Sequence, residues 1–367
     1  MLLRDLQCQK CIAVDTESNS LYAYRERICL IQFSTRKKDY IVDPLALTDI
    51  QVLGTVFSDL AIEKVFHAAE YDLTCLYRDY GWEVNSIFDT MAAARALGWQ
   101  RVGLASILLS KFNVPSNKHF QRANWGRRPM SKEQIAYAQA DSHYLLPLRD
   151  QLVEDLQTEG HWEETREEFD RIAAAGCRVP SSAKPNSPDP DGFWRIPGAR
   201  KLNERQAALL RELYLYWEAA AARADCAPFR VLGKSTLMEL AQRNPHRQSD
   251  LSGIVGMTSS QIRRHGKGLV RALDAGRRAP GIYPPRPKHI APSVLARYDA
   301  LHEWRKNRAR ARGVQSDVIM PREVLWDLAH QNPDALVDLG AIRDLGPWRR
   351  ANYGKEILIA LHNVASK

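Results

Sequence analysis

Three stretches near the start of the chain are short, apolar and β-branched, with polar residues at their edges: CIAVDTES (11–18), RICLIQFS (27–34) and DYIVDP (39–44). Runs of this length and make-up predict consecutive strands. The few residues between them predict hairpin connections. KVFHA (64–68) reads as a fourth strand, followed by a helix over Glu70–Tyr80. From Asp89 onward the apolar spacing becomes helical. Asp89 is a candidate helix cap. Ser131 and Gln134 form an S-x-x-Q capping box at the start of a helix predicted to run to about Gln157. Strands first, then helices against one sheet, is a mixed α/β layout.

The rest of the chain is helical in pattern and repeats itself. Leu237, Ala241 and Pro245 recur as Leu325, Ala329 and Pro333, each 88 residues on. HGKGLVRAL (265–273) recurs as YGKEILIAL (353–361), and the pair Arg263–Arg264 recurs as Arg349–Arg350. Trp217 pairs with Trp304 at an offset of 87. Several anchors at nearly one offset predict two copies of a small all-α module. Proline clusters separate the blocks, because proline removes a backbone donor and restricts its neighbour. The predicted organisation is an α/β domain over 1–175, a Pro-rich linker over 176–198, a helical module over 199–275, a second Pro-rich linker over 276–292 and a second module over 293–367.

Charge sharpens this division. The net charge is +9, but residues 1–175 carry 20 Lys and Arg against 25 Asp and Glu, while 176–367 carry 32 against 18. An acidic front half and a basic rear half point to a polyanionic partner such as nucleic acid. The densest basic run, RKNRARARGVQ (305–315), is the first candidate for phosphate contact. No apolar run approaches the ~20 residues of a membrane span, and MLLRDLQCQK does not read as a signal peptide. The expectation is a cytoplasmic chain whose six cysteines are free thiols. Cys8 and Cys11 form a C-x-x-C without the further ligands that zinc needs.

The chemical signal lies in the front half. Asp15 and Glu17 are two apart at the end of a strand, so their side chains share a face. Two adjacent carboxylates repel unless a cation lies between them, and hard divalent cations prefer oxygen ligands. Asp72 falls in the first turns of the helix after the fourth strand. Asp141 falls among Ala136, Ala138, Ala140, Leu145 and Leu146, with Tyr137 four residues before it on the same helical face. Four acids and a tyrosine make a two-metal hypothesis.

In order and spacing these residues resemble the DEDD superfamily of 3′–5′ exonucleases, and within it the ribonuclease D family. Its first motif corresponds to DTE (15–17), its second to HAAEYDL (67–73), and its third, Y-x-x-x-D, to YAQAD (137–141). NWGRRPMS (124–131) is similar to the family's approach to the third motif, and the repeated module resembles the HRDC domain. Ser18 stands where the family often has an aromatic residue. The resemblance implies an α/β ribonuclease H-like exonuclease domain, a mixed sheet with flanking helices, followed by two HRDC domains. It implies two divalent ions, Mg²⁺ or Mn²⁺, held by Asp15, Glu17, Asp72 and Asp141, with Tyr137 orienting the attacking water. The implied activity is 3′–5′ trimming of structured RNAs such as transfer RNA precursors, releasing 5′-mononucleotides. Lys118, Gln121, Trp125, Arg127 and Arg128, with Arg122, are the candidate substrate contacts. The expected partner is RNA with a 3′ end. No membrane and no nucleotide cofactor are expected, and a monomer is favoured. A DNA exonuclease and an inactive RNA-binding protein are the alternative readings.

Overall fold

The computed structural model describes residues 1–115, 118–178, 189–286 and 289–365. It divides into two contact units, one of Met1–Glu17, Ile28–Val179 and His289–Lys367, the other of Ser18–Arg27 and Pro180–Lys288.

The first unit is built on five strands: β1 (Cys11–Ser18), β2 (Ile28–Ser34), β3 (Asp39–Val42), β4 (Glu63–Phe66) and β5 (Ile87–Asp89). Their order is β3-β2-β1-β4-β5. β2 and β3 are antiparallel, with Ile31 opposite Val42 and Ser34 opposite Asp39. β1 is parallel to β4, with Cys11 opposite Glu63, and β4 is parallel to β5. The sheet is therefore mixed. Among the described residues, the α-helices that accompany it are α1 (Leu2–Gln7), α2 (Gly54–Ser58), α3 (Glu70–Tyr80), α4 (Thr90–Ala96), α5 (Leu104–Phe112), α6 (Lys132–His143), α7 (Leu145–Thr158) and α8 (Trp162–Gly176). Every residue of β2 is buried. In β1, Ile12, Ala13 and Val14 are buried and the strand then emerges through half-buried Asp15, Thr16, Glu17 and Ser18. The apolar half of β1 thus anchors in the core while its end carries the acids outward. α6 lies over β2 and β3, and its Ser142 hydroxyl meets the Ser34 hydroxyl at 2.8 Å.

The predicted strands and the helix over Glu70–Tyr80 are present. Ser131 and Gln134 form the expected capping box. Two expectations need correction. The long helix after Ser131 breaks at Tyr144, because Pro147 in the next turn has no N–H to continue the ladder. β5 was not foreseen; three residues are too few for alternation to register.

The repeated modules share one core plan. The first contains α9 (Glu204–Arg223), α10 (Pro228–Val231), α11 (Lys234–Arg243) and α12 (Ser259–Arg278). The second contains α13 (Pro292–Arg312), α14 (Ser316–Ile319), α15 (Arg322–Gln331) and α16 (Pro347–Ala365). Buried Leu213, Leu237, Leu240, Leu269 and Leu273 recur as buried Leu301, Leu325, Leu328, Ile357 and Leu361, all at 88. This register corrects the pairing of Trp217 with Trp304. The Trp217 indole donates to the Leu232 carbonyl at 2.9 Å, and Arg305, 88 residues on, donates to the Met320 carbonyl at 2.9 Å. Arg305 occupies the tryptophan's place, and burial lowers its pKa. The first linker is also shorter than expected. Phe193, Ile196 and Ala199 are buried in the first module's core, so that module begins before residue 199. In the second unit, residues 18–27 pack on this module: the Tyr24 hydroxyl donates to Glu218 at 2.8 Å, and Arg230 donates to the Leu21 carbonyl at 2.7 Å. Among the described residues no helix is long and apolar enough to cross a membrane.

The second module is joined to the sheet domain through α8. A charge run such as EETREEFDR (163–171) ordinarily faces solvent. Here Glu164, Glu167, Glu168 and Arg171, at i, i+3, i+4 and i+7, form one face, and Glu164 and Glu167 are buried. The Glu167 carboxylate accepts from the backbone N–H groups of Trp348 (2.6 Å) and Arg349 (3.3 Å), so it caps α16 from another element. The fully buried Arg349 guanidinium donates to Glu167 and Glu168, both at 3.1 Å, and to the carbonyls of Ile319 and Val318. Arg312 pairs with Glu164 and donates to the Ala96 carbonyl at 3.1 Å. Gly346 permits this approach, since a Cβ there would fall 2.1 Å from the Glu167 carboxyl carbon.

These contacts also correct the reading of 305–315 as a free phosphate-binding run. Arg305 is buried, Arg312 is docked on α8, Lys306 pairs with Glu303 (3.8 Å) and Arg308 with Glu356 (3.6 Å).

Losing one partner of a buried ion pair leaves the other uncompensated, at a cost of about 3–5 kcal/mol. Arg349→Ala is expected to destabilise the first unit by that amount in urea unfolding. Arg349→Ala combined with Glu167→Gln should cost less than the two single changes added together. Additive effects, or a change under about 0.5 kcal/mol for Arg349→Ala, would show that the pair is not a structural joint.

Candidate active site

Four acids reach one region from three elements. Asp15 and Glu17 come from the end of β1, Asp72 from the first turn of α3, and Asp141 from the last turn of α6. Carboxylate oxygens of Asp15, Glu17 and Asp141 all lie within 4.8 Å of one another. Asp72 stands beside this trio rather than in it. The Thr16 hydroxyl donates to its carboxylate, and Asp72 still acts electrostatically on Asp15 and Glu17. Among the described residues, no Lys, Arg or His makes an ion pair with any of the four.

The electrostatics follow from that arrangement. Burial, then the charges of Asp72, Asp141 and Glu17, hold the Asp15 carboxyl well above the usual carboxylate range. Glu17 is pushed up to about 9 by burial and then by Asp141 and Asp72. Burial raises Asp72 to about 7, against the Thr16 hydrogen bond, which lowers it. Burial raises Asp141 to about 6, against a hydrogen bond from Tyr137. Buried like charges favour proton uptake unless a cation replaces the protons. The donor set is all oxygen and compact, which fits a hard divalent ion.

Tyr137 is half-buried and donates to Asp141. Burial, then the charges of Asp141 and Glu17, raise its pKa, so the phenol stays a proton donor. Phe120 and Trp125 pack behind it, with ring centroids 5.8 and 6.2 Å away.

The second acid depends on a local device the sequence showed only in part. Ala68 has φ +63°, a left-handed conformation that a non-glycine residue rarely adopts. The Asp89 carboxylate holds this turn by accepting from Ala68 N–H (3.1 Å) and Ala69 N–H (2.8 Å). It also caps α4 through Met91 and Ala92. Asp89 was legible as a cap; its grip on the turn leading to Asp72 was not.

A cavity of about 320 Å³ opens beside the acids, lined by Asp15, Tyr137, Asp141, Gln121, His67 and the first turn of α5. Gln121 therefore lies where a substrate contact was expected. His67 lines the same cavity and hydrogen-bonds Thr90 at 2.9 Å; burial lowers its pKa, so it is a neutral wall. The start of α5 (Gly103–Ser106) was missed, because nothing in GLAS marks it. A helix N-terminus favours an anion.

Two expected substrate contacts are structural instead. Arg128 donates to both Asp43 oxygens (2.6 and 2.7 Å) and to the carbonyls of Trp125, Arg127 and Cys29. All five of its donors are occupied. Trp125 is buried with Cys29, Leu30 and Ala138, so its ring has no face for a base. Arg127 is exposed. The Lys118 side chain lies outside the described residues. Outside the cluster, His143 bonds Asp39 at 2.9 Å and Glu70 pairs with Arg171 at 3.2 Å.

Comparison with known proteins agrees with this geometry. Residues 1–157 match a 3′–5′ exonuclease family, and residues 206–273 and 294–361 each match the HRDC domain. The two HRDC matches are displaced by 88 residues, the offset of the repeat. The chain is 34% identical over 284 residues to the exosome complex exonuclease RRP6 of Saccharomyces cerevisiae, covering 74% of this chain but only 38% of that protein. It is 30% identical over 278 residues to the ribonuclease D of Gluconacetobacter diazotrophicus, covering 75% of this chain and 69% of that one. Among solved structures, the catalytic core of RRP6 from Trypanosoma brucei superposes with TM-score 0.65 at 29% identity, covering 75% of this chain and 76% of that one. Escherichia coli RNase D shares the fold over all of this chain and 95% of its own, with TM-score 0.69 at 24% identity. The chain belongs to the ribonuclease D family, with an exonuclease domain followed by HRDC domains.

Proposed function

We propose that this protein is a 3′–5′ exoribonuclease that hydrolyses RNA from its 3′ end and releases 5′-mononucleotides. The observation that carries the reading is the compact group of Asp15, Glu17 and Asp141, with Asp72 beside it, and no cationic side chain paired to any of the four among the described residues. The RNA preference rests on the activity named for the ribonuclease D relative.

Asp15, Glu17, Asp72 and Asp141 are the residues that would hold two divalent ions, Mg²⁺ or Mn²⁺. When bound, such ions offset negative charge on both the attacking and the leaving oxygen of a phosphodiester. The chain supplies the rest. Tyr137, hydrogen-bonded to Asp141 and lining the cavity, is placed to orient a water beside the acids. The apolar packing of Phe120 and Trp125 fixes the phenol's direction. The first turn of α5 faces the cavity with its positive end, suited to a phosphate. Gln121, also lining the cavity, offers an amide to a terminal nucleotide. Structured RNAs such as transfer RNA precursors are the proposed natural substrates, met by the exonuclease domain and the two helical modules.

Asp141→Asn is expected to lower RNA hydrolysis in Mg²⁺ by more than about 10²-fold, the scale for losing one preorganised electrostatic contact. Tyr137→Phe should lower kcat by about 10²-fold with KM nearly unchanged. Unchanged turnover in Asp141→Asn would sink the site assignment. Faster digestion of single-stranded DNA than of RNA by the wild type would favour a DNA exonuclease.

A second measurement reads the metal without activity. Mg²⁺ at a hundred times its Kd should stabilise the wild type by about 2.7 kcal/mol, seen as a higher melting midpoint than in EDTA. Asp141→Asn should melt higher than wild type in EDTA, because one repelling charge is gone, and should gain less from Mg²⁺. Equal Mg²⁺ responses in the two proteins would remove Asp141 from the ligand set.

A further inference from the structure

Both modules carry an Arg-Arg pair and a Gly-Lys step on their last helices, but at the 88-residue register the second Arg-Arg pair lies two residues nearer the helix start, and the two helices present different faces. In the second module Arg349 is fully buried against Glu167 and Glu168, and Arg350 is half-buried. The position of Arg271 is taken by Ile359, and that of Gly268 by Glu356, which accepts from the Trp304 indole at 2.7 Å. Among the described residues of that helix, Lys355 is the one exposed Lys or Arg. In the first module Arg263, Arg264, Lys267, Arg271 and Arg278 are all exposed, and none has an ion-pair partner among the described residues.

The geometry of α12 turns these five into a stripe. At 100° per residue they fall within one sector of about 100°, extended along about 22 Å of helix. The opposite face, with Gly266, Leu269, Ala272, Leu273 and Gly276, is buried. Gly268 lets α12 press against α9, since a Cβ there would meet the Tyr216 ring at 2.3 Å. That close seat fixes the direction in which the basic face points. The one acid in the sector, Asp274, is engaged by Arg277, which also donates to Asn244 at 2.6 Å. At the N-terminal end, exposed Arg223 of α9 adds another cation. His265 there bonds the Tyr216 hydroxyl at 3.0 Å and is kept neutral by burial and by the charges of Arg264 and Arg223.

We propose that the exposed face of α12, formed by Arg263, Arg264, Lys267, Arg271 and Arg278, is the surface on which this protein captures the phosphate backbone of RNA, and that the second module's equivalent helix has been given over to bracing the sheet domain. The inference rests on RNA being the substrate. Uncompensated cations in a row suit a polyanion of repeating charge, and each phosphate contact releases counterions. The rear half's basic surplus thus resides functionally in the first copy, not in the 305–315 run.

The test uses the full chain and a 5′-fluorescein 20-nucleotide RNA, with anisotropy read in EDTA so that hydrolysis does not intervene. Reversing four charges (Arg263→Glu, Arg264→Glu, Lys267→Glu, Arg271→Glu) is expected to raise Kd at least tenfold. It should also flatten the plot of log K against log salt by about 3, at roughly 0.7 for each single-strand phosphate contact. A charge-preserving variant (Arg263→Lys, Arg264→Lys, Arg271→Lys) should stay within threefold of wild type, which separates lost charge from lost fold. Lys355→Glu on the second module should change neither Kd nor slope. An unchanged Kd and slope in the reversed variant, or wild-type RNA binding too weak to titrate, would overturn the proposal; the stripe would then face another partner, such as an acidic protein surface. Wild type that binds RNA through the stripe yet leaves it intact in Mg²⁺ would instead overturn the exonuclease reading and leave the stripe standing.

Discussion

Carboxylates at the end of β1 and α6 are held close enough to repel one another, and the surrounding architecture is arranged to resist that repulsion. The apolar half of β1 is locked between neighbouring strands, so Asp15 and Glu17 cannot separate by moving the strand. α6 is pinned to β2 by the Ser34–Ser142 contact and by Ala138 in the small core beside Trp125, which fixes Asp141. Asp89 clamps the strained turn at Ala68, which fixes the start of α3 and with it Asp72. Arg128, placed by sequence among the substrate contacts, belongs to the same scaffold. It ties the loop before α6 to Asp43 and to the backbone of β2. Each device holds an acid where it would not stay by itself.

The duplicated module shows how one core plan tolerates opposite surface chemistry. Its buried leucines keep their register across 88 residues, because packing volume constrains them. The polar positions are not so constrained. One copy fills a core slot with Trp217, the other with Arg305, and each donates to the equivalent backbone carbonyl, Leu232 or Met320. The Arg-Arg pair is exposed in one copy and half taken into an ion-pair joint in the other. The second pair sits two residues nearer the start of its helix, on another face, where Glu167 supplies both a cap for α16 and a counter-charge for Arg349.

The elements with a strong local signature were legible in the sequence. β1 could be placed from its pattern, the capping box at Ser131 from two residues, and Asp15, Glu17, Asp72 and Asp141 from motif spacing. What was not legible depended on partners distant in sequence. Nothing in EETREEFDR says that Glu164 and Glu167 will be buried, because their compensating arginines lie some 150–180 residues away. Nothing in NWGRRP says that Trp125 and Arg128 face inward, because Cys29 and Asp43 are brought there by the sheet. Trp217 and Trp304 misled because identity was easier to see than register.

Among the described residues, two sets of buried or half-buried acids differ in how they are matched, and the difference separates scaffold from chemistry. Glu164 and Glu167 are matched by Arg312 and Arg349, and Asp89 by four backbone amides. Such groups are satisfied and have no reason to attract a ligand. Among the described residues Asp15, Glu17 and Asp141 pair with no cation; burial raises all three, and neighbouring carboxylate charge adds to the rise at Asp15 and Glu17. Asp72 is offset by the Thr16 hydroxyl and a backbone amide, neither of them a cation. Folding accepts that cost at one place, beside an open cavity whose walls are a neutral histidine, a protonated phenol and a helix N-terminus. The cluster's charge is incomplete without a cation, and the anion such a cation would attract has a cavity in which to lie. The same argument, applied with opposite sign, picks out α12, where the unmatched charges are positive and the missing partner is a chain of phosphates.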